Sequence, residues 1–194
     1  MSAWKRASAI AAGMVMSVLI LSGCTVYSLV PPKPVTIGGA YTIDPQIAWS
    51  KRTAGNIEYW TVDGETLDLL VFFAEVKDGH SLFSGKTADD EDFPIYRAGM
   101  RATDIQDLVV ASYRKSGFEK VEPHNLRPAP FGSLQGFRFD LDFVDANGLE
   151  RRGTVLGAAS DAGLNLILFD GPRQHYFPKY EEAVERLMAS VRGV

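Results

Sequence analysis

The hydrophobic pattern of this 194-residue chain changes period several times, and each change marks an element. Ala7 to Leu21 is an uncharged run of 15 residues, made mostly of Ala, Ile, Met, Val and Leu. Thr25 to Gly39 shows little periodicity and carries Pro31, Pro32, Pro34, Gly38 and Gly39. Asn56 to Val62 is aromatic and β-branched and predicts a strand. It ends at Asp63-Gly64, a pair suited to a tight turn because glycine tolerates positive φ. Leu67 to Val76 is apolar at both parities, with Leu69, Val71 and Phe73 set against Leu70, Phe72 and Ala74. Such a strand is covered on both faces. Asp78-Gly79 closes it, and the chain turns polar from Ser81 to Asp92.

Thr103 to Ser116 predicts a helix. Ile105, Leu108, Val109, Ser112 and Tyr113 share one face, Thr103 and Gln106 suit a capping box, and Gly117 follows Arg114 and Lys115. Phe137 to Phe143 alternates strictly, with four apolar side chains on one face and Arg138, Asp140 and Asp142 on the other, as in a half-buried antiparallel strand. Asn147-Gly148 is a hairpin signal, Leu149 to Ala159 the return strand, and Leu164 to Phe169 a further strand after Asp161-Ala162-Gly163. Pro178 opens a terminal helix with Tyr180, Val184, Leu187, Met188 and Val191 as its apolar stripe, Glu181 and Glu182 in its first turn and Arg192 in its last. Strands joined by tight turns are antiparallel, so this order predicts one α+β domain over residues 41–194, an antiparallel sheet covered by helices as a sandwich.

Composition narrows the function. With 46% hydrophobic residues and 11 Phe the chain has the material for a packed core. A net charge of −4 with no basic run makes it a poor partner for nucleic acid. One Cys excludes a disulfide framework and a thiolate-rich zinc site.

That Cys sits in a telling place. Lys5 and Arg6 precede the apolar run, which is short for a bilayer span of roughly 20 residues and of the usual size for the core of a signal peptide. Leu21-Ser22-Gly23-Cys24 resembles the lipobox of bacterial lipoproteins. The resemblance implies a signal peptide over 1–23, cleavage before Cys24, and a diacylglycerol on the Cys24 thiol that anchors the chain to the lipid bilayer. It also implies a place in the cell envelope facing the periplasm, with Thr25, in place of the Asp that commonly retains lipoproteins at the inner membrane, favouring the outer membrane. Removing residues 1–23 takes away Lys5 and Arg6 and no acid, so 20 basic side chains become 18 against 24 acidic, a formal charge of −6. Such a surface is mildly repelled by anionic lipid, which leaves the anchoring to the acyl chains. Residues 24–40 read as a lipidated Cys and a stiff Pro/Gly-rich tether. At about 3.1 Å per residue it would hold the domain some 40–50 Å from the bilayer.

The order of elements resembles the PsbP-like fold, which includes DcrB-type envelope lipoproteins. The likeness rests on the Trp60 strand entering Asp63-Gly64, the Leu67–Val76 strand, the Thr103 helix ending at Gly117, the Phe118–Arg127 segment, the Phe137 strand, and the helix after Tyr176-Phe177. It implies an accessory, scaffolding or adaptor role without a shared catalytic site, and it transfers no functional residue.

The residues themselves offer little catalytic chemistry. Gly132-Ser133-Leu134-Gln135-Gly136 places its Ser wrongly for a nucleophile elbow. His80, His124 and His175 are far apart in sequence and read as ordinary surface or hydrogen-bonded histidines. Asp89, Asp90, Glu91 and Asp92 lack the spacing and glycine of a calcium loop and read as a solvated loop. Phe72, Phe73, Phe137, Phe139 and Phe143 could line an apolar pocket, although their parity favours sheet core. No catalytic, metal-binding or cofactor-binding residue is assigned, and no cofactor is implied. The expectation is a non-catalytic accessory or adaptor lipoprotein with an envelope protein as partner; the alternative is a periplasmic small-ligand or lipid-binding lipoprotein.

Overall fold

A strand with no polar face must be roofed twice, and the architecture follows from that requirement. The computed structural model describes residues 26–83 and 93–193. Its elements are β1 (Ser28–Val30), β2 (Val35–Ile37), β3 (Tyr41–Ile43), β4 (Trp49–Ala54), β5 (Ile57–Thr61), β6 (Leu69–Val76), α1 (Ala102–Lys115), β7 (Glu119–Phe131), β8 (Leu134–Val144), β9 (Glu150–Ser160), β10 (Gly163–Pro172) and α2 (Tyr176–Ala189). Eight strands form one antiparallel sheet in the order β1-β4-β5-β6-β10-β9-β8-β7, and β2 pairs with β3 in a separate hairpin. All ten residues of β10 are buried.

The two faces carry separate cores. Leu70, Phe72, Leu156, Ile167 and Phe169 pack under α2 and the β2–β3 hairpin, together with Val30 and Trp49. Val71, Phe73, Phe139, Leu141, Val155, Leu166 and Leu168 pack under α1, with Leu82 and Tyr96. The five Phe that parity assigned to the sheet core are all in it.

The helix-covered α+β sandwich is not what forms. Among the described residues the fold is mostly β, with 18% helix in two helices of 14 residues each. A helix of that length is about 21 Å long and roughly 10 Å across, whereas eight strands about 4.8 Å apart make a sheet some 34 Å wide. One helix per face cannot cover it, so a hairpin and loops complete each roof. The extra β structure comes from segments in which no strand was predicted. β7 runs for 13 residues and contains Pro123, Pro128 and Pro130. It tolerates them because it is an edge strand, where a missing N–H costs no ladder bond on the open side.

The N-terminal segment differs from expectation in the same direction. The sequence predicts a stiff spacer over Thr25 to Gly39, yet Ser28–Val30 pairs with β4 and Val35–Ile37 with β3. Val30 and Ile37 supply the reason, since both find apolar seats and are buried. Both helices start differently too. The Asp104 carboxylate, not the Thr103–Gln106 pair, accepts the Arg101 N–H at 2.9 Å, and α2 begins before Pro178, which moves Glu181 past the first turn. Arg192 lies beyond α2, with its backbone paired to Thr42.

One buried ion pair ties the layers together. Arg151 donates from Nε to Asp170 Oδ1 at 3.0 Å and from Nη1 to the Thr66 carbonyl at 2.7 Å, and the Tyr113 hydroxyl donates to Asp170 Oδ2 at 3.1 Å. Burial pushes the Asp170 carboxyl up, and the guanidinium and phenol act against that push.

The β2–β3 hairpin lies on the sheet because Gly38 permits it. Its φ is +54°, and a Cβ there would lie 2.4 Å from Ala74 Cβ. Gly38→Ala is expected to cost about 2–4 kcal/mol in urea unfolding, from left-handed backbone strain plus the clash. Gly39→Ala, with φ +74° and nothing within 4 Å of the added Cβ, should cost only the strain, about 1–2 kcal/mol. Equal costs would mean that the hairpin is not seated on β6.

Candidate functional site

On the α2 side of the sheet, strands β8 and β9 run out from under the helix, and their alternation places polar side chains there. Arg138 and Asp140 of β8 and Arg152 and Thr154 of β9 point the same way as the buried Leu156. From α2, Phe177, Glu181 and Glu185 recur every four residues and so share one stripe. His124, Asn125 and Arg127 of β7 close the far side of a cleft of about 260 Å³.

The charges in this cleft are matched. Arg138 makes a bidentate pair with Glu185 and donates to Thr154 Oγ1 from Nη2 at 2.9 Å and Nε at 3.2 Å. The Glu185 carboxylate holds the Arg138 guanidinium above its usual pKa, against the burial that would lower it. Thr154 donates onward to Asp140 Oδ1 at 3.0 Å, and Asp140 accepts from Asn125 Nδ2 at 3.1 Å and lies 3.7 Å from Arg127. Beside them Arg152 donates to Asp142 Oδ1 at 3.2 Å, while His124 Nε2 lies 3.4 Å from Asp142 Oδ2. Three guanidinium groups and three carboxylates line the space, so its charge is balanced and it is no trap for a phosphate.

Hydrolysis through a serine-, threonine- or cysteine-type nucleophile needs a hydroxyl or thiol poised on a base. The cleft brings His124 against Asp142, but Thr154, whose hydroxyl lines the cleft, is committed to Asp140 and Arg138. His80 Nδ1 sits 3.2 Å from the Asp78 carbonyl, and His175 occupies the N-cap of α2 with its ring edge-on to Tyr176 at 4.9 Å. Among the described residues no hydrogen bond or ring contact joins two of these histidines, and no group of three His, Cys, Asp or Glu is arranged to hold a metal. Cys24 and the Asp89–Asp92 run lie outside the described residues.

A second concavity of about 890 Å³ opens at the tip of the β7–β8 hairpin, near the start of α1. Leu126, Pro128, Pro130, Leu134 and Phe137 give it a mostly apolar lining. Neither concavity was predicted. The strict alternation of Phe137 to Phe143 did mark Arg138, Asp140 and Asp142 as one face. Its pairing with Glu185, 47 residues away, had no local signal.

A scan against protein-family models finds no match, and no curated protein shows significant similarity to the chain.

Thr154→Val removes the hydroxyl that joins Arg138 to Asp140 and leaves both short of a partner. It should lower stability by about 1–3 kcal/mol in urea unfolding. Thr36→Val, which breaks only the exposed contact to Thr42, should stay within about 0.5 kcal/mol. A neutral Thr154→Val would mean that the cleft network is not formed in solution.

Proposed function

We propose that the chain is a membrane-anchored bacterial envelope lipoprotein whose folded part is a non-catalytic accessory or adaptor for another envelope protein. The observation that carries this reading is Leu21-Ser22-Gly23-Cys24 placed directly behind an uncharged apolar run that Lys5 and Arg6 precede. In this reading the thiol of Cys24 bears a diacylglycerol and the freed amino group a further acyl chain. Two or three chains hold a protein durably where one does so marginally. The domain then faces the periplasm, with the outer membrane favoured by Thr25. The matched charges of the cleft support the non-catalytic part, because each guanidinium there already has a carboxylate or carbonyl and the hydroxyl of Thr154 is engaged.

The apolar concavity at the β7–β8 tip favours a second reading, a periplasmic small-ligand or lipid-binding lipoprotein, because its volume is within the range of sites for small organic molecules.

Metabolic labelling with radioactive palmitate in a bacterial host tests the anchor. The native chain should incorporate label and fractionate with membranes, and Cys24→Ser should do neither. In-cell crosslinking followed by mass spectrometry should then trap a discrete envelope protein that Cys24→Ser does not. No trapped protein, together with a small molecule retained in native mass spectrometry, would replace the adaptor reading by the ligand-binding one. Simultaneous His80→Ala, His124→Ala and His175→Ala substitutions should leave the trapped partner unchanged.

A further inference from the structure

The docked N-terminal strand changes how far the domain can stand from its membrane. β1 runs antiparallel to β4, with Ser28 opposite Lys51 and Val30 opposite Trp49. Val26 and Tyr27, which precede Ser28, are therefore directed toward the turn at Gly55-Asn56. The register places that β4–β5 turn, the β9–β10 turn and the β7–β8 tip at one end of the sheet, and the Asn147-Gly148 turn at the other.

Tyr27 is also tied down. Its hydroxyl donates to Glu65 Oε1 at 2.7 Å, Glu65 forms a bidentate pair with Arg52, and the Arg52 guanidinium lies 3.9 Å from the centre of the Tyr59 ring. Only Thr25 and Val26 separate Cys24 from that residue. From Ser28 back to Cys24 the chain can span at most roughly 14 Å, in place of the 40–50 Å of a free spacer. Lys51 to the Gly55-Asn56 turn covers about 13 Å of strand. The two lengths match, so the level of the turn is about the furthest that the anchor residue can reach.

The surface at this corner suits a bilayer. Six large hydrophobic side chains are exposed among the described residues, and three of them, Val26 at 82%, Leu29 at 74% and Tyr27 at 44%, lie within four residues of one another at this point of the chain. The neighbouring cations are neutralised, Lys51 by Glu58 at 3.1 Å and Arg52 by Glu65. Contact there is apolar and not electrostatic.

We propose that β1 is a strap that seats the corner of the sheet formed by β1 and the β4–β5 turn on the phospholipid surface, with Val26 and Leu29 in the interfacial layer. This rests on the lipoprotein reading and deepens it, since it fixes which surface meets the membrane and which stays free. The end of the sheet bearing Asn147 and the Arg151–Asp170 pair then points into the periplasm.

The test uses the full lipidated protein in vesicles of phosphatidylethanolamine and phosphatidylglycerol. Cys24 is the only cysteine and its thiol is consumed by the lipid, so Leu29→Cys, Asn56→Cys and Asn147→Cys each accept one nitroxide label. Mass spectrometry first records the lipid on Cys24. Positions 29 and 56 should show a raised ratio of oxygen to nickel-chelate accessibility, unchanged by added salt, while position 147 stays fully open to the chelate. Inserting about a dozen Gly/Ser residues between Thr25 and Val26 gives the domain a flexible leash and should erase the contrast. A lipidated protein in which positions 29 and 147 are equally open to water overturns the strap. A chain that carries no lipid on Cys24 overturns the lipoprotein reading and the strap with it.

Discussion

Two apolar faces on one sheet are the constraint from which the remaining structure follows. β6 and β10 show almost no polar side chain on either side, and each large side chain that a roof buries contributes about 1.5–3 kcal/mol. Leaving either face open would expose a row of Leu, Ile and Phe. The middle of the chain supplies one cover, α1 and the segment around Tyr96, and two segments far apart in sequence, the β2–β3 hairpin and α2, together supply the other. The N-terminal segment is part of that second cover, because Val30, Ile37, Tyr41, Ile43 and Trp49 are all buried in it.

Most polar groups caught between the layers are paired, the buried Tyr41 hydroxyl being an exception. Arg151 and Asp170 are both nearly inaccessible, and the Thr66 carbonyl and Tyr113 hydroxyl take up their remaining valences. The Arg138–Glu185–Thr154–Asp140 network does the same at the sheet's less covered end. Side chains so fully engaged hold layers in register. The candidate cleft is accordingly read as architecture, and the proposed role is one of position and contact.

Long periodic segments were legible in the sequence. The double-sided apolar run at Leu67–Val76, the stripe of α1, the alternation of Phe137–Phe143 and the turns at Asn147-Gly148 and Asp161-Gly163 all correspond to elements at nearly the expected bounds. Short or punctuated strands were not. β1 to β3 are three residues each, too brief for a period to register, and three prolines and the positive φ angles of Lys120 and Asn125 disguise β7. Those omissions turned a mostly β fold into an expected α+β sandwich. The cleft was hidden for another reason. An Arg on the polar side of an alternating strand looks solvated until a helix from a distant part of the chain lays a Glu across it.

The proline-rich N-terminal segment is a structural cover and not a spacer. Native-state hydrogen exchange of the whole chain, read at the amides of Ser28–Val30 and Val35–Ile37, tests it most directly. Protection comparable to that of β4 and β5 is the predicted result. Exchange at the rate of an unstructured peptide across both segments would contradict it, and would restore a long tether ahead of the domain.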